Sequence, residues 1–479
     1  MQCQLFINGE HCDAIQGETF IDRNPYDGSQ FATVQQASEA DAKAAIAAAT
    51  AAFPVWKNTP PAQREKILNR AAVLFVEKQN ELVEILIHET GSTFGKSMFE
   101  TGFVANMLSS AAGEARRLFG DVMPSDAPGK LSMAIRQPLG VIFGIAPFNF
   151  PFILATKKVC MALAAGNTFI LKPSEEAPMV GLKIAEIFAE AGLPPGVLNV
   201  LHGDAGKFGD SIIADPAVKM ITFTGSTKVG KTLAVKAAQH LKKITLEMGG
   251  KNPFIVLADA DIDDAVNAAV FGVFIHQGQI CMAGSKIIVD ESVYDQFCEK
   301  FVTKAKTLKV GDPSEHDTII GPLIRDQQAP FIAEQIADAA DKGAEILCGA
   351  SCEGNLFQPT VLANVTPNMR IFDEESFGPV VSIYKVANPQ EALQLANSSE
   401  YGLSAAVMTK NIDLALQFAQ ELESGMVHIN GATVFDEPHV PFGGVGNSGM
   451  GREGGRYSME AMTELKWITI QQGHGHYPF

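Results

Sequence analysis

Residues 141–171 read VIFGIAPFNFPFILATKKVCMALAAGNTFIL. An apolar run, Val141 to Ile145, is followed by a connection holding two prolines, a helical segment and a second apolar run, Thr168 to Leu171. Short runs apolar on both faces are strands buried on both sides, and strands of that kind joined by helices pair in parallel. The same texture continues with Val197 to Leu201, Met220 to Phe223 and Ile244 to Leu246. A second series follows: Phe254 to Leu257, a helix from Ile262 to about His276, Lys286 to Val289, a helix from Val293 to Leu308, and Val380 to Tyr384. The expected fold class is α/β, with two such domains in tandem.

The flanking chain differs. From Ser38 to about Gly120 the pattern is helical, with Asp41 to Phe53 rich in alanine. From Gln63 to Glu89 the residues Leu68, Ala71, Ala72, Phe75 and Leu82 recur near helical spacing, and Pro54, Pro60, Pro61 and Gly91 punctuate the stretch. Leu131 to Arg136 alternates apolar and polar residues as a half-buried strand does, and it suits one arm of a hairpin. Trp467 to Ile470 reads as a last strand before a polar tail.

Composition excludes several classes. A chain of 479 residues is enough for about three domains. Its 37 Lys and Arg against 54 Asp and Glu leave a formal charge of −17, which repels phosphate backbones and anionic lipid. At 46% hydrophobic and 19% charged it is too apolar for disorder, yet it has no apolar run long enough for a membrane span. No secretory signal is legible in Met1 to Glu10, so the cytoplasm is the expected compartment. The seven cysteines form no CxxC pair, which suits neither a disulfide framework nor structural zinc. The sequons at Asn364 and Asn397 carry no weight without export.

One motif points toward nucleotide hydrolysis. Gly225-Ser-Thr-Lys-Val-Gly230-Lys231-Thr232 fits the phosphate-loop pattern between a strand and a helix, and Phe254 to Asp259 supplies an apolar strand ending in a potential magnesium-binding carboxylate. Under that reading Lys231 is a phosphate ligand. Otherwise it is a surface lysine, and the glycine turn serves a dinucleotide pyrophosphate.

A longer constellation carries different chemistry. Gly278-Gln-Ile-Cys281 sets a thiol on a connection between a predicted helix and strand, where catalytic groups are commonly placed. Leu246-Glu247-Met-Gly-Gly250 sets a carboxylate at the end of a buried strand, where desolvation makes it a base. Ile145-Ala-Pro-Phe-Asn149 ends another strand with an amide able to donate to an oxyanion. Nucleophile, base and oxyanion donor are all present.

These segments, with Leu171-Lys172-Pro-Ser-Glu175, Phe223-Thr-Gly-Ser226, Glu374-Glu375-Ser-Phe377 and Pro441-Phe-Gly-Gly-Val-Gly-Asn-Ser-Gly449, closely resemble the aldehyde dehydrogenase superfamily from about Asn8 to Trp467. The chain and its ending Gly473 to Phe479 look most like the branch acting on benzaldehyde, salicylaldehyde and vanillin. The resemblance implies that Cys281 is the nucleophile, Glu247 the deacylating base and Asn149, with the Cys281 N–H, the oxyanion hole. It implies Lys172 and Glu175 at the adenine-side ribose, Gly225, Ser226 and Gly230 along the pyrophosphate, and Glu375 and Phe377 at the nicotinamide. Phe150, Ile280, Met282 and Phe435 are the implied substrate pocket, in company with Phe148 and Phe152. The cofactor expected is NAD, because Glu175 would repel a 2′-phosphate, although some relatives with this residue use NADP.

The implied architecture is a Rossmann-like cofactor domain (residues 1–120 and 139–248), a catalytic α/β domain (249–430), a return segment (431–459) and a small β oligomerisation element (121–138 and 460–479). That element implies a homodimer or homotetramer, since a bare ribbon leaves unpaired edges. The other six cysteines read as packed small hydrophobes. Glu464 falls in a family motif, with a structural carboxylate as plausible as a proton relay. His474 and His476 lack the further ligands a metal site needs, so no metal is expected. Trp56 and Trp467 lie outside the motifs, which disfavours a quaternary ammonium substrate.

Overall fold

The computed structural model describes residues 1–475 and 477–479. Its first sheet has eight strands. Five are parallel, in the spatial order Lys243–Glu247, Val218–Thr224, Val141–Ile145, Thr168–Lys172, Leu198–Val200. The chain starts in the middle at Val141–Ile145, winds outward to Leu198–Val200, and then crosses back to add the other two strands on the opposite side. The order reverses beside Val141–Ile145, the kind of switch point outside whose carboxyl strand ends open α/β sheets bind ligands. The register puts Ile145 opposite Lys172 and Phe223, and Thr224 opposite Glu247. The residues that follow these strands therefore share one edge.

Two short antiparallel pieces extend this sheet. Leu5–Ile7 and Glu10–Cys12 pair beyond Leu198–Val200, and Gly449–Met450 pairs against Lys243–Glu247 at the other margin. The helices Pro61–Glu77, Phe94–Glu114, Pro151–Ala164 and Pro178–Glu190 bury one apolar core against one face. Glu39–Lys57 and Thr227–Gln239 cover the other. Glu39–Lys57 begins where Ser38 and Asp41 form a reciprocal capping box, which satisfies two of the donors a helix start leaves open.

The second sheet has seven strands, with Pro253–Val256 between Lys286–Asp290 and Ser404–Met408. Val380–Val386, Thr360–Ala363 and Met426–Ile429 continue it in parallel, and Glu345–Cys348 closes one edge antiparallel. A third sheet joins Lys130–Pro138 to Asp121–Met123 on one side and to Thr463–Gln471 on the other, in a register of nine residue pairs. Trp467 on this ribbon is 72% exposed and Val122 is 76% exposed.

The structure departs from the sequence reading in several places. The stretch Gln63 to Glu89 is two helices, Pro61–Glu77 and Gln79–Thr90, and Lys78 serves as C-cap of one and N-cap of the next. The helix begun at Ile262 stops at Phe274, because His276 and Gln277 turn left-handed (φ 51° and 56°). All seven cysteines are free; Cys3 and Cys160 are buried, but Cys352 is exposed on a short two-stranded ribbon. His476 lies outside the described residues. Among those described, no helix is long and apolar enough to cross a membrane.

Candidate active site

Cys281 follows a turn built from three successive left-handed residues, His276, Gln277 and Gly278 (φ 69°). Two of these are not glycine, a conformation that persists only when the surroundings enforce it. Gln277 Nε2 donates to the carbonyls of Gly91 (3.3 Å) and Pro322 (2.9 Å), which pins the turn. Gly278 is glycine for a second reason: a Cβ there would lie 2.2 Å from the Gly378 carbonyl oxygen. The loop that follows is tied to the segment after Glu247, since Asn252 Nδ2 donates to the carbonyls of Cys281 (2.8 Å) and Ala283 (2.9 Å). Gly250 approaches so closely that a Cβ would lie 2.7 Å from the Cys281 carbonyl oxygen.

Glu247 ends its strand in a buried position, with Gly449 opposite it in register. Neither carboxylate oxygen has a hydrogen-bond partner among the described residues. Burial, aided by the Glu453 carboxylate, raises its proton affinity well above the ordinary carboxylate range, against the pull of Lys158, Lys157 and Arg452. Burial likewise pushes the Cys281 thiol up to about 12, and the carboxylates of Glu375 and Glu247 add to the shift. Thiol and carboxylate thus lie within each other's field.

Asn149 is buried between the Val141–Ile145 strand and the Pro151–Ala164 helix. The start of that helix is fixed from below. Glu100 Oε1 accepts from the N–H groups of Phe152 (2.8 Å) and Ile153 (3.2 Å), its other oxygen pairs with buried Lys96, and the Lys96 ammonium lies 4.4 Å from the Phe150 ring centre. Phe150, Ile280, Met282, Leu403, Met426 and Phe442 pack together around Cys281 as an apolar cluster. A buried ion pair stands at its margin, with Lys157 Nζ 2.8 Å from Asp436 and 4.4 Å above the Phe442 ring.

Along the carboxyl edge of the first sheet, buried Lys172 pairs with Glu175. Ser226 caps the helix Thr227–Gln239. Gly230 lies against Met248, where a Cβ would fall 2.2 Å from the sulfur. Glu375 Oε1 accepts from the Gly250 N–H at 3.0 Å, and burial raises its carboxyl to about 7. Phe377, left-handed at φ 46°, meets the ring of Phe148 edge-on, and the Arg325 guanidinium sits 4.8 Å from Phe148.

Not every predicted site residue is brought to this place. Phe152 is wholly buried in the helical core, edge-on to Phe75, because it faces the opposite side of the helix from the cleft. Phe435 is 56% exposed, with its ring against His428. Phe148 belongs to the Phe377 side instead of the thiol side. Glu464 is an exposed strand residue 2.8 Å from Lys243. The carboxylate that does couple to Glu247 is Glu453, which is paired with Lys158 and accepts from Thr222 Oγ1 at 2.8 Å. Its partners lie 295 and 231 residues away in sequence, so no local signal marks it.

The phosphate-loop reading is overturned. The helix begins at Thr227, so only Gly225 and Ser226 separate it from the strand, and Thr227 to Gly230 are already helical. No loop remains to wrap a triphosphate, and Lys231 is exposed on the helix. Asp259 follows a strand of the other sheet and is occupied by Thr409 Oγ1 (2.7 Å) and the Lys410 N–H (2.9 Å).

A parallel sheet whose strand order reverses at its middle, with a buried carboxylate at the end of one of its strands and beside it a thiol on the loop leading into a second sheet, defines a dinucleotide-linked oxidoreductase of the covalent type. The model of the aldehyde dehydrogenase family matches residues 12–468, and the chain belongs to that family. It is 45% identical over 477 residues to the vanillin dehydrogenase of Pseudomonas fluorescens, covering 99% of each chain. It is 42% identical to a benzaldehyde dehydrogenase of Bacillus subtilis, covering 99% of this chain and 98% of that one. The crystal structure of a salicylaldehyde dehydrogenase from Pseudomonas putida G7, complexed with salicylaldehyde, superposes with a TM-score of 0.98 at 40% identity and full coverage of both chains.

Proposed function

We propose that this enzyme oxidises an aromatic aldehyde to its carboxylic acid, with NAD as the preferred acceptor, through a covalent adduct on Cys281. The observation that carries the reading is the interlock of the Cys281 loop with the Glu247 strand through Asn252 and Gly250, beside buried Asn149. The residues on the cofactor side fit a dinucleotide. Ser226 and the helix start it caps suit a pyrophosphate, and Lys172 with Glu175 suits ribose hydroxyls. Glu375 and Phe377 would orient the nicotinamide end.

The chemistry follows from the side chains. The Cys281 thiol gives its proton to solvent water and its sulfur bonds to the aldehyde carbon, while the electron pair of the carbonyl double bond moves to the oxygen, an alkoxide that accepts from the Asn149 amide and the Cys281 N–H. When bound, a nicotinamide oriented by Glu375 and Phe377 would supply the acceptor for the hydride whose loss leaves a thioester on Cys281. Glu247 then takes a proton from water as the water oxygen attacks the thioester carbon, and the sulfur leaves as the carboxylic acid forms. Free of protein partners, both oxygens of Glu247 remain available to that water.

An aromatic substrate is supported by the Phe150 and Phe442 rings in the apolar cluster and by the named activities of the relatives. We infer a homo-oligomer from the exposed Trp467, Leu465 and Val122 on the three-stranded ribbon. The test is the initial rate of reduced-nicotinamide formation with benzaldehyde, salicylaldehyde and vanillin against a short and a long aliphatic aldehyde, with NAD and with NADP. Higher kcat/KM for the aromatic aldehydes with NAD is expected, and preference for either aliphatic aldehyde overturns the substrate class.

A further inference from the structure

Two buried lysines stand behind the reaction site without a part in the chemistry above. Lys251 follows Glu247 by four residues and Lys286 follows Cys281 by five. Each catalytic segment thus sends one lysine inward toward the same neighbour, the chain from Arg370 to Phe377. Lys251 Nζ donates to the Glu374 carbonyl at 3.0 Å. Lys286 Nζ has no hydrogen-bond partner among the described residues; it lies 4.2 Å from the Phe372 ring centre and 6.0 Å from that of Tyr384. Phe372 belongs to the helical turn Arg370–Asp373, which runs directly into Glu374, Glu375, Ser376 and left-handed Phe377.

An ammonium buried without a hydrogen-bonding partner is costly, and an apolar side chain of similar length would fill the same space at lower cost. What the ring face offers is a partner for the charge, stronger when water is excluded. We propose that Lys286 is a positioning residue whose ammonium, seated on the Phe372 ring, fixes the turn from which Glu375 and Phe377 project. The strand that follows the nucleophile would then set where the nicotinamide end of the cofactor is held. This rests on the cofactor reading of Glu375 and Phe377 given above.

Burial lowers the proton affinity of Lys286 to about 8, with Asp373 opposing the shift, and that of Lys251 to about 7, with Lys286 adding to it. The charged groups facing the pair are Asp373, Glu374 and Glu375. As pH rises past about 8 the Lys286 ammonium is lost and the ring loses its partner.

The test is NAD affinity of the full-length protein, measured by fluorescence or calorimetry from about pH 7 to about pH 9.5, for wild type, Lys286→Met and Lys286→Arg, with thermal melting alongside. Lys286→Met should weaken NAD binding about tenfold at pH 7, the loss of one desolvated cation–π contact, without lowering the melting temperature. Lys286→Arg should keep the affinity and lose the decline at high pH. Unchanged NAD affinity in Lys286→Met overturns the proposal. A decline between about pH 8 and about pH 9.5 that is as large in Lys286→Arg as in wild type also overturns it, even where the Met variant fails to fold. Glu375→Gln and Phe377→Ala are measured in parallel. If these weaken NAD binding while Lys286→Met does not, only the role of Lys286 falls; if they bind NAD normally, the cofactor reading falls first.

Discussion

Replacing Glu247 with glutamine isolates the deacylation step. The side chain is buried, both of its oxygens lack protein partners among the described residues, and the amide is nearly the same size, so no neighbouring group loses a partner and no cavity opens. What disappears is the proposed base. General-base catalysis contributes typically about 10²–10⁴ in rate, so the thioester barrier should rise by about 3–5 kcal/mol while thiol attack and hydride loss stay close to wild type. Rapid mixing of Glu247→Gln with excess aldehyde and NAD should therefore give a burst of reduced nicotinamide near one equivalent per active site, followed by a steady rate lower by about 10²–10⁴. Stability supplies an independent check. A carboxyl whose proton affinity is raised by folding contributes its stability below the unfolded range and loses it as pH climbs through the folded value. The Gln variant lacks that loss and should melt no lower than wild type near pH 8. A steady-state rate within threefold of wild type, or a first turnover slowed as much as later ones, refutes the assignment of Glu247.

Three other perturbations address neighbouring parts of the site. Asn149→Ala removes the proposed oxyanion donor and should lower kcat by about 10²–10³ with little change in NAD affinity, as read by steady-state kinetics and cofactor titration. Gly230→Ala drives a methyl to 2.2 Å from the Met248 sulfur; the expected cost is about 1–3 kcal/mol in denaturant unfolding, with weakened NAD binding as the helix is displaced. Because burial and the carboxylates of Glu375 and Glu247 hold the Cys281 thiol near 12, its alkylation by iodoacetamide without cofactor should keep rising between about pH 7 and about pH 10, where an ordinary thiol levels off. Glu375→Gln should speed that reaction at pH 8, and a plateau near pH 9 in the wild type would contradict the burial argument.

The parts of the fold legible in sequence are those whose signal is local. Val141–Ile145 was readable because all but its last residue are buried on both faces, and Lys130–Pro138 because alternation marks a half-buried strand. Leu5–Ile7 and Glu10–Cys12 are three residues each, too short for a period to show, and they exist because an edge at Leu198–Val200 is there to be paired. The break at Lys78 carries no proline or glycine and comes from packing of two helices. At the site, Cys281, Glu247 and Asn149 stood at the ends of readable elements, whereas Glu453 gains its place through Lys158 and Thr222, each more than 200 residues away. Phe152 and Phe150 are two residues apart on one segment, and only the direction of the helix shows that the first is core and the second faces the thiol.

The strand bearing Glu247 is bordered on its outer side by Gly449–Met450 alone, with Leu246 paired to Met450 and Glu247 to Gly449. During synthesis, then, Glu247 is made some two hundred positions before the residues that border it. Until they leave the ribosome, Lys243–Glu247 presents an open edge, the kind of surface on which nascent chains pair wrongly with one another. A chain halted shortly before residue 449 would hold every residue of the Cys281 loop and still have an unfinished margin beside Glu247.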